Sequence, residues 1–496
     1  MAAQPIPLVA WLDVLPVLLC IAGAALLPLL NRRSALQAIV CGVILVAVLA
    51  SDVALLAHVL ADGPLEMTMG NWLPPFGISF VADAVGTGFA LASAMVAFAV
   101  LVALQGGAEA VAKRAGIYPL LLLLLAGASG AALTGDLFNL YVWFEVMLAA
   151  AIGLVAFAGG PLQIEAAFKY GIINLVATTL LLAAIGLLYG LLGTLNMADI
   201  AMASGKADGA ALTAVAALLV LALSIKAAAF PVNAWLPATY HAPPAAISAL
   251  LGGIPTKIAV YALIRVVVML LPTARETLGP VIYGVAILTA LVGPLMALGE
   301  TRLRRAIGFL LVGGIGIALI GIAQNHDLVL SGAISYAISS MLVIAGLYLV
   351  AGLIEQAAGA VDIGGMGGLY AANTPLSLLF GALVLSLAGI PPFLGFWPKL
   401  LLLQGLIEQA DWPLTFTVLV NSLLTIVIGA RLWSRIFWRP RAEPVAQARG
   451  YGGAVLLTGT IVLLGLAPGI LLQTSLAAGR LLLAPAGYIA AVGLAP

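Results

Sequence analysis

Four ionisable residues stand inside long apolar runs. They are Glu145 in FNLYVWFEVML, Lys226 in LSIKAAAFPVNAWLP, Lys257 in IPTKIAVYALIR and Lys399 in LAGIPPFLGFWPKLLL. A charged group at the centre of a bilayer costs about 2.5–3.5 kcal/mol on insertion scales and is by default a functional candidate. Two chemistries fit. A carboxylate and a lysine can pair as polar glue between helices. Alternatively, the residues are stations on a proton or cation path. Desolvation disfavours a charged lysine and a nearby carboxylate favours it, so a Glu–Lys contact that opens and closes switches the lysine between holding and releasing a proton. One pair alone would not decide; a carboxylate with three separate lysines favours the path.

Two of the lysines sit beside helix breakers. Pro231 follows Lys226 by five residues, and Pro391, Pro392, Gly395 and Pro398 precede Lys399. Proline removes a backbone donor and clashes with the preceding turn. In a membrane such breaks survive only where the freed groups face protein or a wet cavity. Interrupted helices at corresponding positions of two halves point to a transport site at a repeat interface. His241, in YHAPPAAISALL, falls in the loop that follows; it is either a proton relay between Lys226 and Lys257 or an ordinary loop histidine.

The rest of the chain must hold these groups in a membrane. Of 496 residues, 64% are hydrophobic and 8% charged, with mean hydropathy +1.21. A soluble domain carries about 25% charged residues, so the composition excludes a cytosolic enzyme and a disordered chain. A net charge of +1 leaves no basic surface for nucleic acid. Cys20 and Cys41 lie in apolar stretches without metal-type spacing. The opening MAAQPIPLVAWLDV has no basic segment before its apolar run and reads as a retained helix.

A spanning helix needs about 20 mostly apolar residues. Division at charged and Pro/Gly-rich breaks predicts fourteen spans: 7–30, 35–60, 78–104, 117–134, 137–158, 166–192, 210–238, 244–271, 278–299, 303–323, 328–354, 374–405, 414–438 and 452–473. Loops after odd-numbered spans hold Arg32, Arg33, Lys113, Arg114, Lys169, Arg302, Arg304, Arg305, Arg431, Arg435, Arg439, Arg441 and Arg449. Segments after even-numbered spans hold only Lys206, Arg275 and Arg480. That bias puts the odd loops in the cytoplasm and both termini outside. Spans 7 and 12 carry the breaks and are five apart, so five-span units have opposite orientation. The expected architecture is an all-α polytopic membrane protein with two inverted five-helix repeats and broken helices 7 and 12. Its divisions are 1–116 (spans 1–3), 117–271 (spans 4–8), 272–438 (spans 9–13) and 439–496 (span 14 and tail).

Other polar residues receive structural readings. Arg265, near the end of span 8, is expected to snorkel to the interface. Asp136 is read as a cap of span 5 and Asp83 as a boundary residue. The run GGIGIALIG at 313–321 has no flanking strand, so its glycines are read as helix-packing positions.

At these residues the chain resembles a known family. GDLFNLYVWFEVML (135–148), KYGIINL (169–175), LLYGLLGTLNMADIA (187–201), IKAAAFPVNAWLPATYHAPPAAISALL (225–251), TKIAVYALIR (256–265) and GIPPFLGFWPK (389–399) resemble the proton-conducting antiporter-like subunits. These subunits form the membrane arm of respiratory complex I and of the multisubunit Mrp Na⁺/H⁺ antiporters. GTLNMADIA and the wording around Glu145 are most similar to the D-type subunits of Mrp. The resemblance implies that Glu145 pairs with Lys226, that Lys257 is the central lysine and Lys399 the terminal one, and that the four form a hydrated proton axis. It also implies a hetero-oligomer with other antiporter subunits in a bacterial inner membrane, exchanging Na⁺ or K⁺ for H⁺, with no flavin, haem or iron–sulfur cofactor. The chain departs from the family at Ser339 and Ile344, where members usually carry a histidine and a lysine. Two other readings stand beside the antiporter: a pumping subunit of an NADH:quinone oxidoreductase or membrane hydrogenase, and a scaffold with a broken proton path.

Overall fold

The computed structural model describes residues 7–30, 34–106, 116–441 and 445–494. Arg32, Arg33, Lys113 and Arg114 of the basic loops lie outside the described residues. Helices dominate because apolar runs of this length can satisfy their backbone in lipid only internally.

The chain begins with α1 (Trp11–Leu26) and α2 (Ser34–Asp62), followed by a hairpin of β1 (Leu65–Thr68) and β2 (Ser79–Ala82). The hairpin is antiparallel, with Leu65 opposite Ala82 and Thr68 opposite Ser79. Then come α3 (Ala84–Gln105), α4 (Ile117–Leu133), α5 (Leu137–Ala156), α6 (Pro161–Leu192) and the short α7 (Met197–Ala203). The next group is α8 (Gly209–Ala227), α9 (Trp235–Tyr240), α10 (Ala245–Gly253) and α11 (Pro255–Ile264), the last continued by a π-helical turn at Arg265–Leu270. Next are α12 (Pro272–Gly299), α13 (Leu303–Ala323), α14 (Asp327–Ala358) and the single turn α15 (Leu369–Ala372). The chain closes with α16 (Thr374–Ala388), α17 (Phe396–Glu408), α18 (Trp412–Trp433), α19 (Gly452–Leu466), α20 (Gly469–Leu483) and α21 (Ala486–Ala491).

Among the described residues, eleven helices are long and apolar enough to cross a bilayer, and a twelfth span is the bent pair α19–α20, which turns by 77°. The apolar helices α4 and α16 are shorter, at 17 and 15 residues. Fourteen spans are therefore not reached by length alone. The core is centred on α10–α11, α13 and α14, which are almost wholly buried, while α6 and α12 keep one face outward.

The two predicted repeats match element by element. Helices α6 and α14 are each 32 residues long and each ends on a left-handed glycine, Gly193 and Gly359. The segment before α5 pairs with the segment after α6 at Asp136–Asn196, and the segment before α13 pairs with that after α14 at Arg302–Asp362. The two bridges have the same spacing along the chain. Both predicted breaks are present, and they share one register. A left-handed residue (Ala228, Gly389) is followed three positions on by a proline (Pro231, Pro392). Seven positions on, the second half-helix starts (Trp235, Phe396), and nine positions on stands another proline (Pro237, Pro398). The bonds Phe230–Pro231 and Pro391–Pro392 are both cis. In this register Lys399 corresponds to Ala238 and Lys226 to Leu387, so the two lysines approach equivalent breaks from opposite half-helices.

The glycines of the 313–321 run do serve close packing. A Cβ on Gly316 would lie 2.1 Å from the Ala290 backbone nitrogen, and one on Gly313 would lie 2.6 Å from Pro294. Overpacking a tight contact costs about 1–3 kcal/mol. Gly316→Leu should therefore lower the thermal unfolding midpoint of the purified protein by several degrees, whereas Gly284→Leu, with no atom within 4 Å of its Cβ position, should leave it nearly unchanged.

Candidate functional site

Each break leaves the last carbonyls of its first half-helix without helical donors, which must be replaced in a dry interior. At the second break a lysine supplies them. Lys399 Nζ donates to Leu387 O and Ala388 O, both at 3.0 Å, and to Ser422 Oγ at 2.8 Å. It also lies 5.9 Å from the ring of Tyr336. A cation at a helix C-terminus is favoured by the helix dipole as well. To reach these acceptors the lysine stem crosses Gly389, where a Cβ would stand 2.6 Å from Lys399 Cδ. Glycine is thus required there twice, for its left-handed backbone (φ 86°) and for the crossing.

At the first break Trp235 Nε1 donates at 3.0 Å to Ile225 O, which Ala228 N also reaches, and Phe230 N donates to Thr289 Oγ1. Ala228 takes the left-handed conformation with its methyl group in place. Among the described residues no side chain reaches the carbonyls of Lys226 and Ala227, the counterparts of Leu387 and Ala388. Lys226 is 5% exposed, and its Nζ stands 5.0 Å from the centre of the Phe144 ring on α5. Glu145, the next residue on α5, has a buried Oε1 with no hydrogen-bond partner, and no ion pair joins it to Lys226 among the described residues. The predicted partners face the same region but are apart in this state.

A small cavity between Phe144, Tyr170, Asn174, Lys226 and Pro255 leads from Lys226 to the start of α11. Two residues beyond Pro255 is Lys257, 2% exposed, whose Nζ donates to Gly252 O at 2.7 Å across the α10–α11 discontinuity. Lys226, Lys257 and Lys399 are all buried, and Glu145 is half-buried with one oxygen turned inward. On α14, Ser339 bonds to its own helix at Tyr336 O, and Ile344 is buried against Gly252. The face of α14 between Lys257 and Lys399 carries Tyr336, Ser340 and Tyr348 at four-residue steps around Ile344. Charge alone does not point to these hydroxyls or to Ser422, although the four-residue spacing is visible in the sequence.

His241 lies at one end of the molecule, capping α9. Its Nδ1 is 2.9 Å from Pro237 O and its Nε2 is 3.3 Å from Arg302 Nη1. Those partners fit a neutral ring that donates from Nδ1 and accepts at Nε2. Both ring nitrogens are thus engaged at the rim by Pro237 and Arg302. Burial pushes its pKa below the ordinary value; the Pro237 bond raises it, and Arg302, Arg304 and Arg305 lower it. Arg304 fixes the same loop, pairing with Glu355 at 2.9 Å and donating to Pro243 O.

The expectation that Arg265 snorkels to the interface is overturned. It is 1% exposed and ion-paired to Asp83 Oδ2 at 2.6 Å. Asp83 is a structural partner as well as a boundary, since its Oδ1 caps α3 at Gly86 N. A carboxylate in reach satisfies the guanidinium without the long extension that a path to water would need. Asp136 caps α5 as expected, accepting from Asn139 N at 2.7 Å. Two further carboxylates, Asp13 on α1 and Asp52 on α2, are wholly buried. Both lie inside apolar runs, the same signal that singles out Glu145.

Substitutions at the second break and at the rim test this geometry. Gly389→Ala should displace Lys399 from Leu387 O and Ala388 O, at a cost of at least the roughly 1–2 kcal/mol of a left-handed non-glycine residue. It should lower the thermal unfolding midpoint of the purified protein, while Ala228→Gly, which relieves a left-handed alanine, should not. For His241, folding disfavours the proton, so its contribution to stability is present above about pH 6.5 and is lost as pH falls through that value. His241→Gln should flatten the acid-side fall of the unfolding midpoint, and Arg302→Gln should raise the histidine titration midpoint seen by NMR.

The chain is similar to known proteins over most of its length. Residues 134–425 match the family described as NADH:quinone oxidoreductase/Mrp antiporter, TM. The D-type Na⁺/H⁺ antiporter subunit of Alkalihalophilus pseudofirmus is 32% identical over 490 residues, covering 97% of this chain and 99% of the relative. The N-type NADH-quinone oxidoreductase subunit of Desulforudis audaxviator is 35% identical over 415 residues, covering 81% of each chain. A chain in the structure of the Mrp complex from a Dietzia species superimposes with TM-score 0.92 at 29% identity, covering 98% of this chain and 100% of that one.

Proposed function

The chain belongs to the NADH:quinone oxidoreductase/Mrp antiporter family, and from that premise we propose that it is the D-type subunit of a multisubunit monovalent cation/proton antiporter. It is a multi-pass membrane protein and a transporter subunit, working in a hetero-oligomer with other antiporter subunits. The observation that carries this reading is the match to a D-type Na⁺/H⁺ antiporter subunit over 97% of this chain and 99% of that one.

The proton route runs along Glu145, Lys226, Lys257 and Lys399. Lys226 is the switch: its ammonium rests against the Phe144 ring, beside Glu145 on α5, and can approach or leave that carboxylate. Approach stabilises the charged lysine; separation favours release of the proton toward Lys257 across the cavity at Pro255. Lys399, held by two carbonyls and Ser422, is the terminal station. Tyr336 and Ser340 stand where Ser339 and Ile344 break the usual charge pattern. His241 is a rim group at the entrance beside Arg302. The cation exchanged is Na⁺ or K⁺. The organisation is fourteen spans in a bacterial inner membrane, with both termini outside and divisions at 1–116, 117–271, 272–438 and 439–496. Counting α4, and counting α16 with α17 as one broken span, completes the fourteen. The basic loops support the orientation.

The match to an NADH-quinone oxidoreductase subunit favours a second reading, in which the same axis serves a redox-driven pump. Purification from the native membrane separates the two. Small membrane subunits and a larger antiporter-like partner are expected; flavin, iron–sulfur or nickel-bearing partners in fixed ratio would establish the redox pump instead. Glu145→Ala and Lys226→Ala should each abolish Na⁺-dependent proton movement in vesicles while the assembly still forms. Normal exchange by both variants would remove the mechanism.

A further inference from the structure

A second group of buried ionisable side chains lies where α1 and α3 meet the β1–β2 hairpin, and reaches α11 at Tyr261, one turn beyond Lys257. It comprises Asp13, Asp83, Tyr261, Arg265 and Tyr488, none more than 1% exposed. Arg265 is fully committed. Its Nη1 donates to Asp83 Oδ2 at 2.6 Å, its Nε and Nη2 donate to Tyr261 Oη at 3.3 and 3.1 Å, and its guanidinium lies 5.2 Å from the Tyr488 ring. Asp83 is committed too, since its other oxygen accepts from Gly86 N at 2.8 Å.

Asp13 is different. Its Oδ2 accepts from Ala82 N at 3.2 Å, but among the described residues its buried Oδ1 has no partner, and neither has the buried Tyr488 hydroxyl in the same cluster. The other charge facing it from the hairpin is Glu66, of the same sign, which accepts from Thr68. From α2, Asp52 faces Cys20, two turns further along α1; the ionisable side chain of α4 is Tyr118, bonded to Gln105. The cluster therefore holds more carboxylates than cations, and its single guanidinium is used by Asp83. A second ionised carboxylate without a counter-charge is strongly disfavoured in a dry interior.

We propose that Asp13 is a proton-binding site separate from the lysine axis, its carboxyl holding a proton while Arg265 is paired with Asp83 and losing it to water at the hairpin end when that pairing loosens. The step is a simple dissociation, carboxylic acid to carboxylate plus a proton passed to water. A purely structural Asp13 would only anchor Ala82 N–H, which an asparagine oxygen does equally well, so Asp13→Asn isolates the proton from the anchor.

The test is pH-difference infrared spectroscopy of the intact assembly in lipid, which reads protonation directly and does not depend on the transport reading. Wild type is expected to show a protonated-carboxyl carbonyl band that Asp13→Asn loses and Glu145→Gln retains. Asp13→Glu should keep a carboxyl band at a shifted position, and it decides the matter if the asparagine variant fails to assemble. An unchanged spectrum in Asp13→Asn, or an unshifted band in Asp13→Glu, would overturn the proposal. So would a band that Na⁺ removes at constant pH and that pH leaves untouched, because the site would then hold a metal cation.

Discussion

A backbone carbonyl that loses its helical donor inside a bilayer has no water to turn to, and this chain strands such carbonyls at two equivalent places. Everything at the candidate site depends on what replaces the missing donors. At the α16–α17 break the ammonium of Lys399 does so, folding across Gly389 to reach Leu387 and Ala388. At the α8–α9 break no side chain among the described residues reaches the equivalent carbonyls of Lys226 and Ala227; the Trp235 indole bonds Ile225 O, one residue earlier, which Ala228 N also reaches. One break carries an anchored cation and the other does not.

That asymmetry gives the two halves different roles. Lys226 faces α5 with an aromatic ring as neighbour, and Glu145 Oε1 is buried with no donor among the described residues. A buried polar atom left without a partner is costly in a low-dielectric interior, and a lysine approaching it would relieve that cost. Such a pair is suited to gating, whereas a lysine with three acceptors is suited to ending a path.

Around this centre, charged groups hold the frame. The Asp83–Arg265 pair ties the start of α3 to the end of α11 deep in the protein, and Tyr261 links that pair to α4 through Ala132 O. At the rim, Arg304 joins the α9–α10 loop to α13 and α14 through Pro243 and Glu355. Both ties join residues that are distant in the sequence. The glycine contacts between α12 and α13 lock the second half by backbone approach.

The sequence by itself determined that the chain is a membrane protein, where most of its helices run, that they break at Pro231 and Pro392, and which four ionisable residues lie inside apolar runs. These follow from local rules: apolar length, proline chemistry and the cost of burying charge act on neighbouring residues and can be read along the chain. The sequence did not show the 77° bend between α19 and α20. Tertiary structure decided which group answers which. Nothing near Lys399 in the sequence says that its ammonium would fold back to Leu387 O and Ala388 O. Arg265 found Asp83 across a separation of 182 residues and so stayed buried. The unpaired state of Glu145 and Lys226, and the isolation of Asp13, are likewise properties of distance between helices. Residue types set the chemistry available at each turn; only packing settles which donors and acceptors come within hydrogen-bond reach.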